Sequence, residues 1–218
     1  MSRAALLLAL ALLLPSAAHG QEYGPRTLAF QGLGASLFQV LPARSEAATG
    51  VQINGHLGRI TRRVRIVPSL TFWATRLRSD EVSVLRNRVE GLCEAAGTPC
   101  PGLELGEVQL SDLSLDLDAH YTVRGPLGLE PYAGFGAGLH LVNGGGEFID
   151  NTFVEEILDA ITPGMNGIAG VELPLPRGFR LRAEARAVVA GGANWIGAGI
   201  GGSFVLPRRR GAATEGRP

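Results

Sequence analysis

The sequence has 218 residues, 20 basic and 20 acidic, for a formal net charge of +0. That balance argues against nucleic acid as a partner, because neutralising phosphates takes a basic surplus. Glycine is the outlier at 31 residues, without the three-residue period that would suggest collagen.

The first element in chain order is a targeting segment. Arg3 supplies a positive start, Ala4 to Leu14 an apolar run, and Pro15 and Ser16 a break. Ala18, His19 and Gly20 then place small residues where a signal peptidase reads, so residues 1–20 are predicted to be a cleaved signal peptide, with the mature chain beginning at Gln21. The rival reading is an anchor helix, which needs roughly twenty apolar residues where this run has about eleven. Nothing later in the chain approaches a transmembrane helix. The mature chain is thus expected to be secreted, periplasmic, or able to cross a membrane as strands, and its length suits one domain.

Eight segments have strand character, at about 27–40, 50–59, 64–77, 108–123, 129–142, 165–173, 179–189 and 195–206. Most reach the roughly 9 to 11 residues that a tilted strand needs to cross a bilayer. Gln31 and Gln39 spoil a clean apolar face in the first. In the fourth, Leu113, Leu115, Leu117, Ala119, Tyr121 and Val123 oppose Asp112, Ser114, Asp116, Asp118, His120 and Thr122. The fifth opposes Phe135, Leu139 and Leu141 to Glu130, Gly134, Gly136, Gly138 and His140. The seventh sets Phe179, Leu181 and Ala183 against Arg180, Arg182, Glu184 and Arg186.

Alternation alone does not say which face points inward. A soluble barrel fills its core with the apolar face; a membrane barrel turns that face to lipid. Three features favour the membrane form. The even-to-odd links 60–63, 124–128 and 174–178 are short, while 78–107 and 143–164 are long and 41–49 is intermediate, with only the last hairpin, 190–194, short on that side. The acidic face of strand four and the Arg-rich face of strand seven could pair inside a narrow eight-stranded cylinder, whose interior has room only for side chains. Glycines 134, 136 and 138, and 197, 199 and 201, fall on single faces, which suits a crowded interior.

Between the strands, Cys93 and Cys100 flank a Gly-Thr-Pro turn and are expected to form a local disulfide in an exported chain. Val82, Leu85, Val89 and Leu92 recur at helical spacing after Ser79 and Asp80. Thr152 to Glu155 forms a capping box ahead of Phe153, Ile157, Leu158 and Ile161, with Pro163 ending the run. Both are predicted to be short amphipathic helices over the outer mouth, packed as a lid or offered to a surface partner.

The run from Leu129 to Leu139, Leu-Glu-Pro-Tyr-Ala-Gly-Phe-Gly-Ala-Gly-Leu, resembles the Pro-Tyr-aliphatic-Gly-x-Gly-x-Gly strand of small outer-membrane barrels, the opacity-protein, OmpX-like and OmpA transmembrane-domain groups. The signal segment, the strand count and the glycine-rich final strand extend the resemblance over nearly the whole mature chain. It implies an all-β, eight-stranded antiparallel up-and-down transmembrane barrel over residues 21–206. Barrels of this kind usually end on an aromatic residue that the assembly machinery recognises. Here Phe204 is followed by Leu206, then by Pro207 and a polar tail, residues 207–218, expected to be disordered.

The expected function is structural or surface-interacting, without catalysis, cofactor or metal, in a monomer that contacts outer-membrane lipid. An interior polar network is expected from Asp112, Asp116, Asp118, His120, Glu130, His140, Arg180, Arg182, Glu184 and Arg186, with His120 and His140 able to approach Asp118 and Glu130. A narrow ion path through that interior is left open. Two alternatives remain: a lipid-modifying outer-membrane enzyme using His with Ser and an acid, and a soluble periplasmic ligand-binding barrel. Glycines 134, 136 and 138 sit inside a strand and open no helix, so they do not form a dinucleotide loop. The acidic loop residues Glu147, Asp150, Glu155, Glu156 and Asp159 follow no calcium-binding spacing.

Overall fold

Period-two alternation sustained over eight segments has one solution without open edges, a sheet closed on itself. The computed structural model, which describes residues 28–95, 97, 105–146 and 160–206, is such a barrel. Its strands are β1 (Gly32–Pro42), β2 (Ala48–His56), β3 (Val64–Arg76), β4 (Gln109–Thr122), β5 (Glu130–Gly145), β6 (Ala160–Pro174), β7 (Phe179–Ala190) and β8 (Trp195–Val205). Each pairs antiparallel with the next, and β1 closes on β8 from Gly32↔Val205 to Pro42↔Trp195. Among the described residues no helix is long and apolar enough to cross a membrane. The single described α-helix, α1 (Ser79–Ala95), follows β3.

The strand faces point as a membrane barrel requires. Leu113, Leu115 and Leu117 are 37%, 57% and 56% exposed, whereas Asp116 and Arg182 are 3% and 6% exposed. The apolar exterior continues around the cylinder through Leu37, Ile53, Phe72, Phe135, Met165, Leu181 and Ile200. A closed ring of exposed leucine, isoleucine and phenylalanine far exceeds the patch that a monomer tolerates in water.

The links differ from the sequence reading in length. The β1–β2 link shrinks to 43–47, and β6 begins at Ala160, not at 165, so the β5–β6 link is 146–159. Ile161 and Pro163, assigned above to a helix and its stop, are therefore lipid-facing strand residues opposite Leu141 and Leu139. Pro163 is tolerated in a strand at the end of the ladder, where β7 no longer pairs with it. The rest of that predicted helix, 152–159, lies outside the described residues, as do the signal segment, Cys100 and the tail. The asymmetry of the two barrel ends now rests on 77–108 and 146–159 alone. In outer-membrane barrels the long links lie at the outer end and the tight links at the periplasmic one, and the two ends are named accordingly.

Two of the tight links repeat one device. Pro126-Leu127-Gly128 and Pro176-Arg177-Gly178 each place both residues after proline at positive φ, 59° and 78° in the first, 63° and 85° in the second. Such geometry belongs to type I′ hairpin turns, whose twist matches the flanking strands. Leu129 N–H donates to the Pro126 carbonyl at 3.1 Å, and Leu175 N–H to the Phe179 carbonyl at 2.7 Å. Leucine is a poor choice there, since left-handed backbone costs a β-carbon residue about 1–2 kcal/mol. Leu127 is 92% exposed, so its side chain contributes no packing. Leu127→Asn is expected to stabilise the barrel by about 0.5–1 kcal/mol, read as a higher urea midpoint in lipid vesicles.

The glycine faces have a packing reason. A Cβ on Gly134 would stand 3.0 Å from the His120 ring, and one on Gly136 2.9 Å from the Asn166 amide. Missing side chains on one strand thus seat large polar ones from the next.

Candidate functional site

Inward parity brings polar side chains from every strand into one interior, and at its periplasmic end they pair across the cylinder. Arg65 of β3 donates both terminal nitrogens to Glu172 of β6, each at 2.6 Å. Arg180 of β7 donates to Glu130 at 2.6 Å and to Glu172 at 3.1 Å. The fork geometry of the Arg65–Glu172 pair makes it strong and directional, whereas Arg180 shares one nitrogen between its two carboxylates. The Arg65 guanidinium also lies 5.0 Å from the centre of the Tyr132 ring, on which His120 stacks at 4.8 Å. Tyr132 hydroxyl donates to Glu184 at 2.7 Å.

Midway up the interior the centre is Arg186. It donates to Asp118 at 2.7 Å and to Glu184 at 3.3 Å, and its other terminal nitrogen lies 3.8 Å from Asp116. Ser69 hydroxyl donates to Asp118 at 3.2 Å, Ser114 hydroxyl to Asp116 at 3.0 Å, and Asn166 amide to Asp116 at 3.1 Å. Arg182, by contrast, finds neutral acceptors, Ser36 hydroxyl at 2.6 Å and Gln52 at 2.9 Å, with Glu184 3.7 Å away.

The histidines separate. His140 Nδ1 lies 2.9 Å from Asp112, and its Nε2 3.9 Å from Asp116. His120 sits 3.4 Å from Arg65 and 4.0 Å from Asp118, beyond hydrogen-bond reach of the latter. Of the expected approaches, His120 comes near Asp118, while His140 turns to Asp112. Glu130 is taken by Arg180, and register sets Ser114 opposite His140 on β4 and β5. A Ser114, His140 and Asp112 grouping has the residue types of a hydrolase triad, but the Ser114 hydroxyl is spent on Asp116. All of these side chains are buried. Among the described residues no cluster of His, Cys, Asp or Glu suited to a metal is present.

The sequence reading missed Arg65 and Glu172, the best-aligned pair in the interior. Their signal was parity: Arg65 shares a face with Ser69 and Thr71, and Glu172 alternates against Val171 and Leu173. It also missed that the interior changes character along the axis. At the outer end Phe38, Val40, Trp73, Leu110, Val142, Val188 and Trp195 form one buried apolar cluster. Gln39 does interrupt the apolar face of β1: it points outward between Leu37 and Leu41 and donates to the Ala48 carbonyl at 3.1 Å. Its neighbours Phe38 and Val40 are the inward residues, and both are fully buried.

Outside this cap, α1 buries Leu85 and Val89 against Leu105 and Val108, with Leu77, Val82 and Cys93 beside them. Leu92, expected on that face, is 49% exposed, as the helix turns it away from the cluster. Asp80 and Glu81 occupy the first turn, where the helix dipole favours negative charge.

No protein-family model matches the sequence, and no curated protein matches it. Solved structures do resemble the fold. Neisserial surface protein A aligns with a TM-score of 0.52 at 11% identity, covering 81% of this chain and 96% of that one. Ail of Yersinia pestis aligns at 0.46 and 11%, covering 80% and 95%. The N-terminal β-barrel domain of Pseudomonas aeruginosa OprF aligns at 0.40 and 15%, covering 80% and 98%. At these identities the likeness is one of fold. The chain is thus similar in structure, at low sequence identity, to small eight-stranded outer-membrane barrels.

Proposed function

We propose that the chain is a lipid-anchored barrel of the bacterial outer membrane, with a structural or surface-interaction role and no catalytic activity. The observation that carries this reading is the combination of an apolar belt around the whole cylinder with a buried, ion-paired interior. The belt needs acyl chains as its solvent, which weighs against the soluble periplasmic alternative. The buried apolar cluster around Phe38, Trp73 and Trp195 interrupts the charged character of the interior toward the outer end, which weighs against ion passage. What weighs against a lipid-modifying enzyme is access: the Asp112, Ser114 and His140 grouping lies beneath that cluster and behind the strands, out of reach of a lipid. Specificity for a surface partner would reside on α1 and the two long links, 77–108 and 146–159.

Export through residues 1–20, a barrel over 21–206, a free tail over 207–218 and a Cys93–Cys100 disulfide belong to the same proposal. Intact mass of protein taken from the outer-membrane fraction reads the cleavage and the disulfide together, as a chain starting at Gln21 and lighter by two hydrogens. Planar bilayers containing the refolded barrel are expected to stay electrically silent, and the unheated protein to migrate on detergent gels apart from the heated form. Steady channel conductance would remove the reading against ion passage; recovery in the soluble periplasmic fraction would remove the membrane reading.

A further inference from the structure

The periplasmic mouth carries a feature that neither the interior network nor the outer helix explains. The β2–β3 and β4–β5 links bring Arg59, Arg62, Arg63 and Arg124 around one concave pocket of about 710 Å³, walled by Thr122, Val123 and Glu130. Among the described residues the one carboxylate in that wall, Glu130, already receives Arg180 at 2.6 Å. Arg59 is held in place by donating to Thr122 hydroxyl and to the Arg62 carbonyl, both at 2.9 Å. The pocket lining thus gathers four guanidinium groups, with Arg63 and Arg124 the two nearest the outward Tyr121 and the β4–β5 turn, in a chain whose formal charge is +0 overall.

Its depth relative to the bilayer is marked by Tyr121. That side chain stands on the outward face of β4, below Leu117 and Leu115, and its hydroxyl accepts from Arg63 at 2.6 Å. The Arg63 guanidinium also lies 5.8 Å from the centre of the same ring. Tyrosines on membrane proteins gather at headgroup level, with ring in the acyl boundary and hydroxyl in the polar layer. The outward aromatics Phe179 and Phe204, paired across β7 and β8 at 5.1 Å, mark the same end of the cylinder. The arginines therefore lie where the phosphates of the periplasmic leaflet lie.

We propose that this mouth binds the phosphate of an anionic phospholipid of the periplasmic leaflet, Arg63 and Arg124 meeting the phosphate while its acyl chains run along Tyr121 and Leu117. Guanidinium matches phosphate geometry in a way that a zwitterionic headgroup, carrying its own cation, answers less well. The proposal rests on the lipid-embedded reading above.

The test uses the full mature barrel in nanodiscs of equal phosphatidylcholine and phosphatidylglycerol, with retained lipids counted by native mass spectrometry. The wild type is expected to keep phosphatidylglycerol over phosphatidylcholine by about tenfold, and Arg63→Gln/Arg124→Gln to bring the ratio near parity. Arg44→Gln/Arg86→Gln, at the outer end, should keep the wild-type ratio. Parity in the wild type, or an unchanged ratio in the double variant, would overturn the proposal. So would titration with inorganic phosphate in uncharged detergent, if free phosphate bound as tightly as the lipid. Each variant is first checked for heat-modifiable mobility, and single Arg124→Gln replaces a double variant that fails to fold. Failure of the membrane reading would show as no incorporation into the discs; failure of this one would show as incorporation without lipid preference.

Discussion

Arg186→Met is expected to destabilise the barrel by about 3–5 kcal/mol, the range for breaking a buried ion pair from one side. The guanidinium faces Asp118, Glu184 and Asp116 together, so methionine would take from Asp118 its arginine and leave Glu184 only the more distant Arg182, all in a buried interior. Equilibrium unfolding in urea, with the protein in vesicles, reads the loss as a lower midpoint, and the variant should lose its heat-modifiable gel shift earlier on warming. Arg186→Met/Asp118→Asn should recover part of the loss, because one of the stranded charges goes with it. Arg182→Met should cost less, since its acceptors Ser36 and Gln52 are neutral and can turn to each other or to water. Equal losses for the two arginines would show that charge pairing across the cylinder does not hold the interior together.

The fold was legible because a strand's period is two, and strands such as β4 keep it without a break. Leu113, Leu115 and Leu117 against Asp112, Asp116 and Asp118 leave only the choice of which side is in. Link lengths and the glycine faces decided that choice. Pairing was less legible, because it depends on register and on which strands face each other across the barrel. Arg65 and Glu172 are 107 positions apart, and no local pattern joins them. His120 and His140 lie on neighbouring strands, yet they sit at different heights: His120 pairs with Gly134 and His140 with Ser114. That offset sends one to the Arg65 and Tyr132 layer and the other to Asp112. The apolar cap escaped notice for a different reason. Phe38 and Val40 hold the same parity as Ser36, so alternation puts all three on one face, but nothing local marks where along the axis that face turns from polar to apolar. The β6 start was obscured by Pro163, which reads as a stop for a helix and equally as a residue at the unpaired end of a strand.

Leu115→Arg separates a barrel in lipid from one in water by the sign of a single free energy. Leu115 sits midway along β4, opposite Leu70 of β3 and Leu139 of β5, and all three face outward. Arginine at the midplane of a transmembrane barrel costs about 2–4 kcal/mol, because the guanidinium must thin the bilayer or draw water to itself. Were the same face in water, replacing a half-exposed leucine by arginine would change stability by about 0.5 kcal/mol or less, and solubility would rise. The expected result is a lower urea midpoint and a smaller folded fraction in vesicles. Leu127→Arg, on the exposed turn at the periplasmic end, supplies the control: it adds the same charge outside the acyl layer and should leave the midpoint nearly unchanged. Were Leu115→Arg as harmless as Leu127→Arg, the belt would not be touching acyl chains. The ion-paired interior would then belong to a soluble cylinder, and the arginine mouth would have no leaflet beside it.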